Sequence, residues 1–196
     1  MNHSPVFDSQ LLRLTPMDIS RDPPVLARWS VDLEVARRLR SQQPVRPLAE
    51  FEAKKVLEEW LKEIERSNRV FMFALRPQGD DRLAGYIRIT QVMWVHGAAQ
   101  FDLVIGDPED WARYAGEALS LGLRYAFDEM NLFRITVQVE EHNQICQALY
   151  RAAQFFLEVR QRQAVYHDGR YWDRLMFGML RPEWTVYQNQ QLGVAA

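Results

Sequence analysis

Few side chains in this sequence could carry out nucleophilic or metal chemistry by themselves. Cys146 is the only cysteine, so an internal disulfide and a cysteine-based zinc site are both excluded. We expect Cys146 to pack in the core as a small apolar residue rather than to act as a nucleophile. His96, His142 and His167 fall at predicted turns without the spacing of metal ligands, and we expect them at the surface. No metal site is therefore expected.

The composition is that of an ordinary globular protein. A length of 196 residues fits one domain, which we place at residues 1–184, followed by a polar C-terminal tail at 185–196. The net charge of −2 gives no electrostatic case for binding nucleic acid or an anionic membrane. No stretch approaches the ~20 apolar residues of a membrane span, and the first residues do not resemble a signal peptide. With a single cysteine, these features predict a cytoplasmic protein that binds neither nucleic acid nor membrane.

Hydrophobic periodicity predicts how the chain alternates between strands and helices. The predicted strands are 10–14, 70–75, 83–94, 98–105, 132–140, 155–166 and 171–180. The predicted helices are one that starts at residues 22–24, then 32–40, 47–66, 116–130 and 143–153. This order indicates an α+β chain with one parallel crossover, in which helix 116–130 joins the strand before it to the strand after it.

Four local sequences follow one another along the chain, at 104–111, 117–134, 143–155 and 168–184. These sequences, together with the order of elements, resemble the GNAT superfamily of N-acetyltransferases. In the third local sequence, Gln154 stands where the family has glycine. The last one is similar to the C-terminal hairpin of the branch that includes the ribosomal-protein N-terminal acetyltransferases. The resemblance implies an α+β fold: a mixed, mostly antiparallel central sheet with a splayed parallel strand pair and flanking helices.

The resemblance implies acetyl-CoA as the acyl donor and a primary amine as the acceptor, reacting directly in a ternary complex. The pyrophosphate of acetyl-CoA would bind backbone N–H groups where a loop at 111–117 enters a helix. Arg113, Gly116 and Ala118 match the family signature for that loop. The loop is short and has one glycine, which predicts weaker binding or a compensating role for the Arg113 side chain. The implied contacts with acetyl-CoA are Leu103, Val104 and Ile105 along the pantetheine arm, Arg113, Tyr114, Ala115, Gly116, Glu117 and Ala118 around the pyrophosphate, and Asn143.

Asn143 and Tyr150 each have two interpretations. Asn143 aligns with a family asparagine that contacts the cofactor, and asparagine is also among the best residues to cap a helix N-terminus. Tyr150 aligns with the catalytic tyrosine that protonates the departing thiolate, and it could instead be an aromatic side chain packed on the hairpin. The general base is not assigned. Asp102, Glu140 and Glu141 are candidates, although each also fits a solvated carboxylate, and ordered water can serve in their place.

The sequence therefore predicts an acetyl-CoA-dependent N-acetyltransferase that acts on the amine of a protein N-terminus or of a small molecule. The alternative is a catalytically impaired relative that keeps the fold to bind CoA or to act as a scaffold. The glycine-poor loop, Gln154 and the lack of an evident base favour that alternative. A homodimer is also predicted, because Trp94, Trp172 and Trp184 fall at strand ends or in the C-terminal segment, where exposed aromatic surface marks an interface.

Overall fold

The computed structural model describes residues 6–33, 35–36 and 45–191. Most of the helix predicted at 32–40 lies outside the described residues. At its start, the backbone N–H of Val35 donates to Oδ1 of Asp32, and the N–H of Ala36 donates to the Asp32 carbonyl. Within the described ranges, no helix is both long enough and apolar enough to cross a membrane.

Seven strands and five α-helices form the described part of the chain. The strands are β1 (Leu12–Thr15), β2 (Phe71–Pro77), β3 (Gly85–Met93), β4 (Ala98–Ile105), β5 (Arg134–Glu140), β6 (Phe156–His167) and β7 (Arg170–Leu180). The helices are α1 (Pro23–Trp29), α2 (Glu50–Arg66), α3 (Pro108–Arg124), α4 (Gln144–Ala152) and α5 (Arg181–Gln191), and a π-helical turn at Tyr125–Glu129 continues α3. Every predicted strand is present, with its ends within two residues of the predicted ones.

The strands form one sheet in the order β1-β2-β3-β4-β5-β7-β6. The β4–β5 pair is parallel, whereas the pairs β1–β2, β2–β3, β5–β7 and β6–β7 are antiparallel. A parallel pair requires a long crossover connection, and α3 with its π-helical turn supplies it. The predicted fold, a mostly antiparallel sheet with one parallel pair and flanking helices, is confirmed.

The chain consists of two compact units. Unit 1 comprises the described residues of Met1–Ile89 together with Leu103–Gly122, and unit 2 comprises Thr90–Asp102 together with the described residues of Leu123–Ala196. The core of unit 1 combines apolar side chains from α1, α2, β2, β3 and the end of β4. In α2, Ala53 and Leu57 are fully buried at helical spacing. Phe51, in the first turn of α2, is 63% exposed.

A buried ion pair fixes the start of α1 to β2 in unit 1. Nη2 of Arg76 lies 3.0 Å from both carboxylate oxygens of Asp22, and both side chains are buried. The remaining donors of Arg76 are used as well, with Nε bonded to Thr15 and Nη1 to the Asp81 carbonyl. Removing one partner would leave an uncompensated buried charge, which costs about 3–5 kcal/mol.

In unit 2, the C-terminal segment is helical where a polar tail was predicted from residue 185. The helix α5 begins directly after β7, and Glu183 accepts a hydrogen bond of 2.7 Å from the Leu180 backbone N–H. The Arg181 side chain donates to the carbonyls of Leu132 and Phe127. Trp184 is buried, stacks on Phe127 with 5.8 Å between ring centroids, and donates to Asp128. These tertiary contacts stabilise α5 as a helix, although the polar composition of its sequence does not by itself predict one.

Candidate functional site

The end of β4 carries the three residues that the resemblance assigned to the pantetheine arm. Leu103, Val104 and Ile105 are buried. Among the described residues, the parallel ladder between β4 and β5 runs from Ala98 to Gln100, so these three lie beyond it, as expected for a splayed strand pair. Gly106 follows directly, and a Cβ atom added there would lie 1.9 Å from the indole of Trp29. Only glycine fits at this position, which brings α1 against the point where β4 ends.

The start of α3 is the largest difference between the predicted and the observed structure. The sequence interpretation placed a loop at 111–117 and began the helix near residue 116, whereas α3 begins at Pro108. Gly106-Asp107-Pro108 breaks the strand, but Asp-Pro-Glu also starts a helix, with proline at the first helical position and acidic residues in the first turn. The Trp111 N–H donates to the Asp107 carbonyl at 2.9 Å, so the helical pattern is established by this residue.

The early start of α3 changes what residues 113–118 can contribute. Only the first backbone N–H groups of a helix lack an intrahelical partner. From Trp111 onward the N–H groups donate to carbonyls four residues earlier, so those of residues 113–118 cannot converge on a phosphate. The predicted loop at these positions is therefore wrong, and contact between residues 113–118 and a pyrophosphate stays a prediction, which in this helix would depend on side chains.

The side chains of this segment separate into a buried face and an open one. Tyr114, Ala115 and Ala118 are buried, and Glu117 accepts a hydrogen bond of 2.9 Å from the Leu11 N–H in front of β1. Arg113 and Gly116 are exposed and lie three residues apart, on the same side of α3. The Arg113 guanidinium lies 5.2 Å from the centre of the Tyr114 ring. A Cβ atom added at Gly116 would have no neighbour within 4 Å.

Two acid–base pairs occupy the first turn of α3. Nη2 of Arg28 lies 2.8 Å from Oδ2 of Asp107, and Nη2 of Arg82 lies 2.7 Å from Oδ1 of Asp110. The hydrogen bond to Asp110 raises the pKa of the Arg82 guanidinium. Sequence reasoning missed both arginines, because each comes from an element distant in the chain and belongs to no motif. A phosphate bound near this turn would compete with Asp107 and Asp110 for these two arginines.

In unit 2, Asn143 adopts one of its two predicted roles. Its side-chain oxygen accepts a hydrogen bond of 3.0 Å from the Cys146 N–H, so it caps α4. Cys146 is buried, which confirms its predicted place in the core. A role of Asn143 in cofactor binding stays a prediction.

Tyr150 is buried in α4 and packs edge-on against Phe155, with 5.4 Å between ring centroids. The Phe155 N–H donates to the Tyr150 carbonyl, and Gln154, between α4 and Phe155, has a positive φ of 65°. This is the left-handed conformation that ends many helices and favours glycine. It explains why glycine suits the position that Gln154 occupies.

The three candidate bases differ in their surroundings within unit 2. Glu141 is engaged by Arg160, whose Nη1 lies 2.6 Å from Oε1 of Glu141 and 2.8 Å from Oδ2 of Asp173. Asp102 accepts a hydrogen bond from Gln100, and it is half-buried like Glu140. Alternation along β4 and β5, with Gln100 opposite Thr136, places Asp102 and Glu140 on the same face of the sheet. We therefore retain these two and set Glu141 aside.

The histidines were expected at the surface, and this holds only for His96. His167 is buried, and its ring centroid lies 4.2 Å from that of His142. The Trp172 indole N–H donates to the His167 carbonyl, and the Trp172 ring lies 5.2 Å from His142. The turn between β6 and β7 thus folds back on the segment before α4, a tertiary contact that local sequence does not encode.

Comparison with known proteins gives one family and several relatives. Residues 12–155 match the family described as the acetyltransferase (GNAT) domain. Spermidine N(1)-acetyltransferase of Escherichia coli K12 is 25% identical over 113 residues, which cover 58% of this chain and 57% of the relative. The SPbeta prophage-derived uncharacterized N-acetyltransferase YokL of Bacillus subtilis is 23% identical over 130 residues, which cover 66% of this chain and 72% of the relative. The match thus spans little more than half the length of the Escherichia coli enzyme.

Solved structures show the same fold. Spermidine N-acetyltransferase from Vibrio cholerae, in complex with CoA and spermine, has a TM-score of 0.76 at 20% identity and covers 90% of this chain and 99% of its own. An acetyltransferase from T. thermophilus, described as putative, has a TM-score of 0.76 at 24% identity and covers 97% of this chain and 96% of its own. Spermidine acetyltransferases recur among these relatives, which the resemblance to the ribosomal-protein branch did not predict.

Proposed function

Because this chain belongs to the GNAT acetyltransferase family, we propose that it transfers the acetyl group of acetyl-CoA to a primary amine of a small molecule. The observation that carries the proposal is the family match over residues 12–155, which includes β4, α3 and α4. The catalytic effect would come mainly from holding the amine and the thioester together and from polarising the carbonyl with backbone N–H groups of β4.

A polyamine is the acceptor that we favour. The spermidine acetyltransferases among the relatives act on such a compound by name. In unit 2, Asp102 and Glu140 share one face of the sheet with the amides of Gln100 and Gln138, which bond to each other at 3.2 Å. A polar row that carries two carboxylates attracts a polycation and can hydrogen-bond its amines. A protein N-terminus, which the C-terminal hairpin suggested, is the acceptor to test against it.

We assign proton transfers to residues of unit 2. Tyr150 would donate its phenolic proton to the departing thiolate, since a phenol with a pKa near 10 is protonated at neutral pH. The amine would lose its proton to Asp102 or Glu140, directly or through water. Asn143 would then serve both as the cap of α4 and as a cofactor contact.

The second candidate function is a CoA-binding or scaffolding protein with impaired catalysis. The continuous helix at Pro108–Arg124 favours it, because the backbone N–H groups of residues 113–118 already donate within the helix. If the protein is an enzyme, the exposed side chain of Arg113 binds the pyrophosphate in place of these backbone N–H groups. Arg28 and Arg82 are further candidates, provided that they exchange Asp107 and Asp110 for the phosphate.

Calorimetric titration with acetyl-CoA and a thiol-release assay together test the proposal. We expect binding of acetyl-CoA, and faster thiol release with spermidine than with a peptide that has a free N-terminus. Tyr150→Phe should lower turnover by about 10²-fold with little change in acetyl-CoA affinity, the scale of one general acid. Tyr166→Phe is the matched control, since Tyr166 is an exposed tyrosine of β6. Absence of binding would support the scaffold, and equal turnover of the Tyr150 variant would remove its catalytic role.

A further inference from the structure

Unit 1 contains a cavity of about 440 Å³, which lies between β1, the segment that leads into α1, and the turn after β2. Small-molecule sites have volumes of about 300–1,000 Å³ and combine apolar walls with a few polar groups. Three arginines line this cavity, namely Arg13 of β1, Arg21 before α1 and Arg76 of β2. The apolar part of its wall is formed by Pro16, Met17 and Ile19.

Arg76 forms a fixed floor for this cavity. Its side chain is buried, and its donors bond to Thr15, to the Asp81 carbonyl and to the carboxylate of Asp22. The Asp22 carboxylate neutralises the charge of Arg76, so Arg76 is not the cation that attracts a ligand. Because β1, the start of α1 and the turn after β2 are all bonded to Arg76, the cavity wall is ordered before a ligand binds, which favours binding.

The other two arginines converge on one carboxylate that lines the cavity. Nη2 of Arg13 donates to Oδ1 of Asp81, and Nη1 of Arg21 lies 3.2 Å from Oδ2 of Asp81. The hydrogen bonds from Arg13 and Arg21 hold the pKa of Asp81 below its ordinary value. The Asp81 side chain is nevertheless 62% exposed, and exposed ion pairs stabilise a fold only slightly. An external anion can therefore replace Asp81 between the two guanidinium groups.

Arg13 also has a donor that no described group uses. Its Nε is buried, and no acceptor from residues 6–33, 35–36 or 45–191 lies within hydrogen-bonding distance of it. A buried donor without an acceptor is costly, and most such groups in native structures have a partner. The donors of a guanidinium form a planar fork that matches a carboxylate or phosphate group. The Nε of Arg13 is thus available for an oxygen atom from outside the described chain.

We propose that this cavity binds a small organic anion through its carboxylate or phosphate group, held by Arg13 and Arg21 in place of Asp81. Asp81 then acts as an internal competitor that leaves the two guanidinium groups when the ligand enters. A cationic ligand fits less well, because Asp18 already accepts hydrogen bonds from the Arg21 side chain and from the Ser20 backbone N–H. The site is separate from acetyl transfer, since none of its lining residues is assigned to acetyl-CoA or to the amine.

Isothermal titration calorimetry with inorganic phosphate and with succinate tests the site, at constant ionic strength because salt screens charge pairs. Arg13→Gln and Arg21→Gln should each weaken binding at least about tenfold, since each removes charge-assisted hydrogen bonds. Asp81→Asn should instead strengthen binding at least about threefold, because the competing carboxylate is gone. The matched controls are Arg69→Gln and Glu65→Gln, at exposed positions of unit 1 outside the cavity, which should change the affinity by less than about twofold.

The opposite effects expected for the arginine and aspartate variants distinguish a ligand site from a purely structural ion-pair network. A structural network gives no affinity for either anion, so absence of binding by the parent and by the Asp81 variant would overturn the proposal. An Asp81 variant that binds no more tightly than the parent would also overturn it. The same holds if Arg69→Gln weakens binding as much as Arg13→Gln, because the attraction is then not specific to the cavity.

Two further comparisons locate the anion and identify its class. Arg113→Ala should leave the phosphate affinity unchanged, whereas loss of binding in that variant would place phosphate at the acetyl-CoA contact and overturn the proposal. Tighter binding of phosphate than of succinate would support a phosphorylated ligand for the cavity, and the reverse order would support a carboxylate. Circular dichroism of each variant confirms that a loss of binding is not a loss of fold.

Discussion

Replacing Gly116 by alanine separates the helical from the loop interpretation of the segment at 113–118. Gly116 lies inside α3, is exposed, and has room for a Cβ atom with no neighbour within 4 Å. Glycine in an exposed helix interior is about 0.8–1.0 kcal/mol less favourable than alanine. The substitution should therefore stabilise the protein by about that amount. For a chain of this length, such a change raises Tm by roughly 2–4 °C.

The same variant measures whether the backbone at Gly116 contacts acetyl-CoA. In α3 its N–H already donates within the helix, so acetyl-CoA affinity should stay within about twofold of the parent, a change below about 0.5 kcal/mol. Urea denaturation gives the stability and isothermal titration calorimetry gives the affinity. Ala112→Gly is the reverse change at an exposed position of the same helix. It should destabilise the protein by a similar amount and leave affinity unchanged.

Two results would refute this reasoning. If Gly116→Ala fails to stabilise the protein while Ala112→Gly destabilises it, the segment around residue 116 is not helical in solution. If Gly116→Ala stabilises the free protein but weakens acetyl-CoA binding by tenfold or more, α3 opens when the ligand binds. In that case the glycine serves the loop that the sequence motif indicated.

Three further predictions concern single side chains. Arg113→Ala should weaken acetyl-CoA binding at least tenfold, about 1.4 kcal/mol, by calorimetry; an unchanged affinity would make Arg113 only a solvated charge. Gln154→Gly should stabilise the protein by about 1 kcal/mol relative to Gln154→Ala in urea, because only glycine relieves the positive φ; equal stabilities would show that the conformation carries no strain. The hydrogen bonds from the Gln163 N–H and Arg160 hold the pKa of Asp173 below its ordinary value of 3.8, so its contribution to stability is complete above pH 3.8 and is lost as pH falls further. Asp173→Asn should reduce the slope of unfolding free energy against pH in that acid range, and an unchanged slope would show that Asp173 makes no such contribution.

Local sequence was sufficient where a pattern of side chains and a turn agree. The strand β4 was predicted at its observed ends, since apolar and aromatic residues run from a His-Gly turn to a Gly-Asp-Pro break. The predicted strands 155–166 and 171–180 are joined by Asp168 and Gly169, which adopt φ values of 50° and 76° and form the two-residue turn that an Asp-Gly pair favours. These strand ends and turns depend on residues that are neighbours in the sequence, so they can be predicted from one sequence alone.

The C-terminal segment and the buried histidine could not be predicted in this way. The helix α5 depends on the burial of Trp184 against Phe127 and on hydrogen bonds from Arg181 to carbonyls about fifty residues earlier. His167 is buried because the β6–β7 turn meets His142. The burial of the three tryptophans that suggested a dimer could not be predicted from local sequence either. Trp94 is exposed, whereas Trp172 is half-buried and Trp184 is buried.

A shift of a few residues in the start of α3 decides whether backbone N–H groups can bind a phosphate, although it leaves the fold unchanged. The residues 113–118 were expected in a loop between β4 and the crossover helix, where the resemblance assigned them to a phosphate, but they lie inside α3. Whether their N–H groups can bind one depends on where α3 begins, and that is set by Asp107 and Pro108, about five residues earlier. Starting the helix at Pro108 uses those N–H groups and leaves Arg113 as the polar side chain on the open face. Formation of the fold and binding of the pyrophosphate by backbone N–H groups therefore place separate requirements on this sequence. A sequence that forms the fold does not necessarily leave these N–H groups free to bind.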